Sequence, residues 1–241
     1  MKNAENILSE RENILGRIRE ALKVSSPLPG SHQSSAAVPA SVHPAGGTPA
    51  LHSAREWLPA VGASSAEQFA LFAKNAADLK ADFQLLNFAA EARAALAALR
   101  DREGWRRVAT HSGGLTDAIC PALSLPLLRT DRPYDVQELE QCDAGISECD
   151  ALIAQTGGVA VTSRSAGGRA LSVLPPHHVV LARREQLVAD LPAAFALLQQ
   201  KYEPNFPSMI SFITGPSRTG DIERILVLGA HGPKRLTILC F

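Results

Sequence analysis

Cysteine is scarce in this chain of 241 residues, and the few cysteines stand apart from one another. Cys120, Cys142, Cys149 and Cys240 fall in no C-x-x-C spacing, whereas iron–sulfur clusters and structural zinc sites rely on closely paired thiolates. The spacing predicts that the chain binds neither by itself. Free thiols in a reducing compartment, buried or partly exposed, are the expectation. An excess of either charge is missing too: Lys+Arg and Asp+Glu both total 24, and no basic block stands out. That argues against nucleic acid as a main partner. No apolar run approaches the roughly 20 residues that a membrane span needs. Met1 to Glu12 is polar and acidic, where a secretory signal would hold an apolar stretch of about 7–15 residues. A cytoplasmic protein is therefore expected. The chain also lacks G-x-G-x-x-G after a strand, a P-loop, G-x-S-x-G and H-E-x-x-H. Neither a bound nicotinamide cofactor nor serine-hydrolase chemistry has support.

Aromatic residues are few and alanine is abundant, which suits an Ala/Leu-rich helical layer around a sheet. A chain of this length can bury one sizeable core. Residues 1–23 place Ile7, Leu8, Ile14, Leu15, Ile18 and Leu22 at helical spacing between charges, an amphipathic helix. Residues 24–55 are rich in Ser, Pro, Ala and His and read as a flexible linker. The helix could dock on its own domain or on a partner subunit. Residues 56–241 form the main domain. There, helices are predicted over Ser65–Lys80, Ala89–Arg100 and Glu185–Lys201, with a helical turn at Asp117–Ala122 and a further helix from Asp221. Strands are predicted at Phe83–Asn87, Arg106–Thr110, Leu125–Leu128, His178–Ala182, Met209–Thr214 and Arg235–Cys240. This alternation indicates an α/β domain with a largely parallel sheet. Ala144–Ser147, Ala151–Ala154 and Val159–Thr162 follow one another too closely for crossover helices, which points to antiparallel or edge strands.

The run from Ile213 to Glu223 is the most distinctive on the chain. An apolar strand leads into Gly215-Pro216-Ser217-Arg218-Thr219, and helical spacing resumes at Ile222. A strand ending in a donor-rich turn that opens a helix would present free N–H groups and a positive dipole end to an anion. Arg218 could then grip a carboxylate or phosphate in bidentate fashion. The alternative is a tight turn in which Ser217 or Thr219 caps the helix. Such a turn belongs outside the carboxyl ends of the sheet strands, where open α/β sheets place ligands. Gln155-Thr156-Gly157-Gly158 would sit there too, its glycines permitting close backbone approach. Arg169 is either a second cation or a solvated surface residue. His178 and His231 are ligand contacts or packed, hydrogen-bonded histidines; His231, if unperturbed, could exchange protons at neutral pH. Asp221 complements the helix dipole or touches the ligand. Gly232 completes the Gly-His-Gly-Pro-like turn.

Three blocks give the chain a family likeness. They are Asp143 to Gly158, Gly168-Arg169 through Pro175-Pro176-His177-His178-Val179, and Gly215-Pro216-Ser217-Arg218-Thr219-x-Asp221-Ile222-Glu223 with His231-Gly232-Pro233. In this order they resemble the lactate utilization (LUD) domain family, in particular its lactate utilization protein C group. Residues 24–55 match nothing in it. The resemblance implies a Rossmann-like three-layer α/β/α sandwich of the ribose-5-phosphate isomerase and CoA-transferase-like type. It also implies a subunit of a system converting L-lactate to pyruvate, with iron–sulfur partner subunits supplying the redox centres that this chain lacks. The motif turns would bind a small anionic ligand. Where the family carries Glu-Thr-Gly-Thr, this chain has Gln155-Thr156-Gly157-Gly158, so an acid gives way to an amide that can hydrogen-bond but not ionise. Gly220 stands where the family commonly has Ala. Two other functions remain open on the sequence: a stand-alone transferase or isomerase acting on a CoA thioester or sugar phosphate, and an assembly or regulatory subunit without chemistry.

Overall fold

The computed structural model describes residues 60–219, 227–229 and 231–241. The amphipathic helix of residues 1–23, the linker of residues 24–55 and the helix expected from Asp221 lie outside the described residues.

Helix α1 (Ser65–Asp78) starts at a capping box. The Ser64 hydroxyl accepts the Glu67 N–H, and the Glu67 carboxylate accepts the Ser64 N–H at 2.9 Å. Its buried stripe is Phe69, Phe72 and Ala76, as the helical spacing requires. Strand β1 (Asp82–Leu85), helix α2 (Ala89–Glu103), strand β2 (Val108–Thr110), helix α3 (Gly114–Ile119) and strand β3 (Leu127–Arg129) follow in alternation. Next come α4 (Val136–Glu140), β4 (Ala144–Glu148), β5 (Ala151–Ile153), β6 (Gly158–Thr162) and β7 (His177–Ala182). The chain continues with β8 (Leu187–Val188), α5 (Leu191–Tyr202), β9 (Ile210–Ile213), β10 (Arg218–Thr219), β11 (Val227–Leu228) and β12 (Arg235–Cys240).

Six strands form a wholly parallel sheet in the order β1-β12-β7-β4-β2-β3. Both its faces are covered, which is why β7 is buried at every position and reads as an apolar run. On one face α2, α3 and the turn after α3 contribute Leu96, Ile119 and Leu123 against Val179, Leu181 and Leu239. On the other face α1 and a second sheet bring Phe72, Leu152 and Val161 against Val180 and Ile238. That second sheet, ordered β8-β5-β6-β9, pairs β5 with β6 and β6 with β9 antiparallel. Helix α5 packs on it through Ala194 with Ala151, Ile153 and Ala160. The domain is thus an α/β fold with a parallel central sheet flanked by helices, and one flank includes an extra sheet.

Three elements differ from the sequence expectation. Helix α5 starts at Leu191 rather than Glu185, because Asp190 caps it through the Ala193 N–H at 2.9 Å and Pro192 occupies the first turn. The preceding residues form a short 3-10 turn and β8. Strand β4 is not an edge or antiparallel strand but lies inside the central sheet between β7 and β2. No crossover helix is needed after it, because β5 leaves for the other sheet. Helix α4 was not anticipated; Asp135 caps it through the Gln137 N–H at 2.9 Å.

At the junction of β4 and β5, the Asp150 carboxylate is fully enclosed and accepts three hydrogen bonds. Ser165 Oγ and Tyr202 OH donate at 2.6 Å and Lys201 Nζ at 2.7 Å. Burial alone would raise its pKa, but these partners outweigh burial and hold it below the usual carboxylate value. The network ties the end of α5 to the loop after β6. Phe72 lies edge-on to Phe83 with ring centroids 4.8 Å apart, joining α1 to β1. Phe72→Ala is expected to lower unfolding free energy by about 3–5 kcal/mol, read from urea denaturation; a loss within about 0.5 kcal/mol, ordinary for a surface change, would contradict this packing.

Candidate functional site

The turn after β9 is shaped by its neighbours. Gly215 has φ 136, and a Cβ there would sit 2.7 Å from the Leu79 carbonyl oxygen, so the backbone presses directly on the end of α1. The Ser217 N–H donates to Pro233 O at 2.8 Å, and the Gly229 N–H donates to Ser217 O at 2.9 Å. These bonds join the Gly215–Thr219 segment to the His231-Gly232-Pro233 turn, so the two halves of the third sequence block meet in space. Arg218 and Thr219 then form β10, antiparallel to β11. The turn therefore opens into a hairpin strand rather than directly into a helix. The Ser217 N–H is not free to face a ligand, and Asp221 lies outside the described residues.

The assembled turns face two cavities. Gly215, Ser217, His231 and Gly232, with Ser172 and Val173, line one of about 260 Å³. Pro216 and Arg218 line another of about 500 Å³. In the larger one Arg218 is joined by Lys80, Arg102, Lys234 and Arg235, facing Asp82 and Glu103, with His177 and Thr237 in the wall. Asp82, His177 and Arg235 open β1, β7 and β12. The cavity thus lies at the amino ends of the parallel strands, opposite to the carboxyl-end placement expected for the Arg218 turn. The reason is topological: β9 belongs to the second sheet, so its direction does not follow the parallel strands.

The other sequence candidates divide. Gln155-Thr156-Gly157-Gly158 turns β5 into β6, and Gly158 meets Thr214, so this block adjoins the Gly215 turn. Gly157 has φ 65, and a Cβ there would overlap the main chain of Asn75 and Ala76. Its smallness serves close packing on α1 rather than approach by a ligand. The Asn75 amide secures this turn by donating to the carbonyls of Ala154 and Gln155 at 3.0 and 2.9 Å, and Thr156 Oγ1 accepts the Gly158 N–H at 3.3 Å. Arg169 is exposed and donates to the Ser208 carbonyl at 3.0 Å, lining neither cavity. His178 is buried between the two sheets with Nε2 2.9 Å from Ser147 Oγ. Burial drives its pKa down to about 3. Its neighbour His177 faces the other way: Nε2 lies 2.9 Å from Thr237 Oγ1, and its ring is edge-on to Trp105. Burial lowers its pKa to about 4.

The cationic side chains other than Arg218 escaped sequence reasoning. Lys234-Arg235 was the available signal, a basic pair directly before the closing strand. Lys80 and Arg102 gave none, because each is an ordinary charged residue at the end of a helix. Glu148, at the carboxyl end of β4, accepts the N–H groups of Leu115 and Thr116 at 2.7 and 3.2 Å and so is committed to the start of α3. The His111 ring beside it accepts the Glu148 N–H at 3.3 Å and lies 3.0 Å from the Ser112 carbonyl, which together place the proton on Nδ1. All four cysteines are free and buried, and burial pushes the thiols of Cys120 and Cys240 up to about 11 and about 12. They are poor nucleophiles there. Among the described residues no helix is long and apolar enough to cross a membrane.

The architecture defines an α/β domain in which motif-bearing turns meet at the amino edge of a parallel sheet, beside a cationic cavity. The chain belongs to the LUD domain family, whose model matches residues 69–240. A 104-residue stretch is 38% identical to "Lactate utilization protein C" of Shouchella clausii (strain KSM-K16), covering 43% of this chain and 45% of that protein. The protein of the same name from Geobacillus kaustophilus (strain HTA426) is 36% identical over 103 residues, 42% of this chain and 43% of its own. The matched stretch thus spans less than half the length of these relatives. A crystal structure of a DUF162 family protein from Deinococcus radiodurans shares the fold, with a TM-score of 0.54 and 24% identity over 74% of this chain and 99% of that one.

Unfolded histidines titrate near pH 6.5, whereas His177 and His178 stay neutral in the fold down to about 4 and about 3. Between these limits the unfolded chain binds more protons, so stability is full above pH 6.5 and falls as pH drops. Urea denaturation should show the protein less stable at pH 5 than at pH 7 by about 2 kcal/mol for each histidine, about 4 kcal/mol together; equal stability would mean that the histidines are not held neutral. Gly157→Ala combines a left-handed φ with a main-chain clash and should destabilise by about 1–3 kcal/mol. An unchanged melting temperature would show that α1 does not press on this turn.

Proposed function

We propose that the chain is a lactate utilization protein C-like subunit of a system that oxidises L-lactate to pyruvate. The two electrons and two protons lost by lactate leave through other components: iron–sulfur partner subunits take the electrons, and this chain carries no redox group of its own. Its part is to hold a small anion, lactate or pyruvate, beside those partners, in the cytoplasm. The observation that carries the reading is the 38% identity over 104 residues with a protein named for lactate utilization. The matched LUD domain, residues 69–240, carries the Arg218 turn that lines a cationic cavity. A carboxylate there would gain a charge-assisted, bidentate partner in Arg218.

The test is reconstitution of the full chain with the iron–sulfur partners and an assay of lactate-dependent pyruvate formation. Pyruvate formation should depend on this chain and drop on Arg218→Ala; independence from the chain would refute the role. Gln155→Glu separates two roles for the acid that the family carries at this position, because glutamine accepts a hydrogen bond but cannot ionise. The hydrogen-bonding role predicts little change in rate, whereas a large gain would assign proton transfer to that position.

A further inference from the structure

We propose that the cavity at the amino edge of the parallel sheet is a binding site for a ligand with two or more adjacent negative charges, of the diphosphate class, held by Lys80, Lys234 and Arg218. The inference takes its location from the small-anion reading above but does not depend on lactate oxidation.

The charges lining the cavity do not cancel. Arg102 and Arg235 both contact Glu103, so two guanidinium groups share one carboxylate. Asp82 accepts only the Gln84 amide, at 3.2 Å, among the described residues. Lys80, Lys234 and Arg218 have no ion-pair partner among the described residues. Five cations therefore converge on one concavity against two acids. All five side chains are exposed, so the surplus acts as a solvent-screened positive field that draws an anion into the concavity.

The cations come from separate parts of the fold, so no single helix face explains them. Lys80 follows α1, Arg102 lies in the last turn of α2, Arg218 opens β10, and Lys234 and Arg235 stand at the start of β12. Lys80 has φ 67, a conformation that glycine adopts without cost, yet the position carries a lysine whose side chain lines the cavity. The stem of Lys234 is laid across Gly229.

Size and charge both leave room for more than a lone monocarboxylate. A volume of about 500 Å³ falls in the range of small-molecule sites, roughly 300–1,000 Å³, and a three-carbon hydroxy acid fills only part of it. One carboxylate would also leave most of the surplus positive charge unmatched. Two linked phosphates offer several acceptor oxygens, enough for two ammonium groups and a guanidinium at once. The apolar part of the lining, Pro216 and Leu236, could cover an organic group esterified to the phosphates.

Isothermal titration calorimetry on the full chain tests the proposal, with pyrophosphate, inorganic phosphate, ADP and L-lactate as probes. Pyrophosphate should bind at least about tenfold more tightly than phosphate or L-lactate, since each added charge-assisted hydrogen bond is worth roughly that factor. Lys80→Gln and Lys234→Gln keep the stem length and remove the charge, and each should weaken pyrophosphate by about tenfold. Lys74→Ala, an exposed charge on α1, should leave binding unchanged, and matching melting temperatures confirm that the variants fold. ADP binding more tightly than pyrophosphate would support an organic phosphate ester as the occupant, and weaker ADP binding a free diphosphate. L-lactate binding as tightly as pyrophosphate, with the same dependence on Lys80 and Lys234, would overturn the polyanion assignment and leave the small-anion reading standing. Binding of no probe, or binding indifferent to both lysine variants, would overturn the site itself. Selective pyrophosphate binding by a chain without which lactate oxidation proceeds unchanged would keep this inference and remove the lactate role alone.

Discussion

The amino edge of this domain depends on one constraint: the closing strand β12 is inserted between β1 and β7. Its register sets Arg235 opposite His177 and Thr237 opposite both Val179 and Asp82. Three strand starts that are far apart in sequence are thereby aligned, and the charged residues before and at those starts face one recess. Such an insertion needs both faces of β12 covered, which Leu236, Ile238 and Cys240 achieve toward α1 and Leu239 toward α2. With no β12 there would be no floor under His177 and no place for Lys234 and Arg235 to meet Arg102 and Glu103.

A second convergence lies at the end of α1. The Gly157 turn presses on Asn75 and Ala76, the Gly215 turn presses on Leu79, and Gly158 meets Thr214 between them. Two of the three family blocks are therefore packed on one helix terminus. Gly157 and Gly215 are accounted for by contact between backbones. This packing gives the family likeness a physical content: much of the motif maintains the shape of the edge, and Arg218 is the motif residue that brings charge to the larger cavity.

The opposite, carboxyl edge is closed by internal bonds. Glu148 is spent on the start of α3, His111 is held between the Glu148 N–H and the Ser112 carbonyl, and Gly167 lies against the His111 ring. Asp150 is occupied by Ser165, Tyr202 and Lys201. Carboxylates that accept several strong hydrogen bonds stiffen the loops that carry them.

Much of the α/β alternation was legible in the sequence, because hydrophobic period and caps are local properties. The helix expected from Ser65 is α1, and Arg235–Cys240 read as a strand with the bounds it has. Local signals also misled where a cap competed with a pattern: Asp190 and Pro192 start α5 later than its apolar spacing suggests. The third block was recognisable as a unit, and its two halves do meet through Ser217, Gly229 and Pro233. Which edge of the sheet they occupy was not legible, because strand order and the assignment of β9 to a second sheet arise from long-range pairing. The same holds for Lys80 and Arg102, which are ordinary helix-end cations in sequence. The residues by themselves determined the elements and the family; only tertiary packing decided which charges share a cavity, since electrostatic surplus belongs to groups brought together in space.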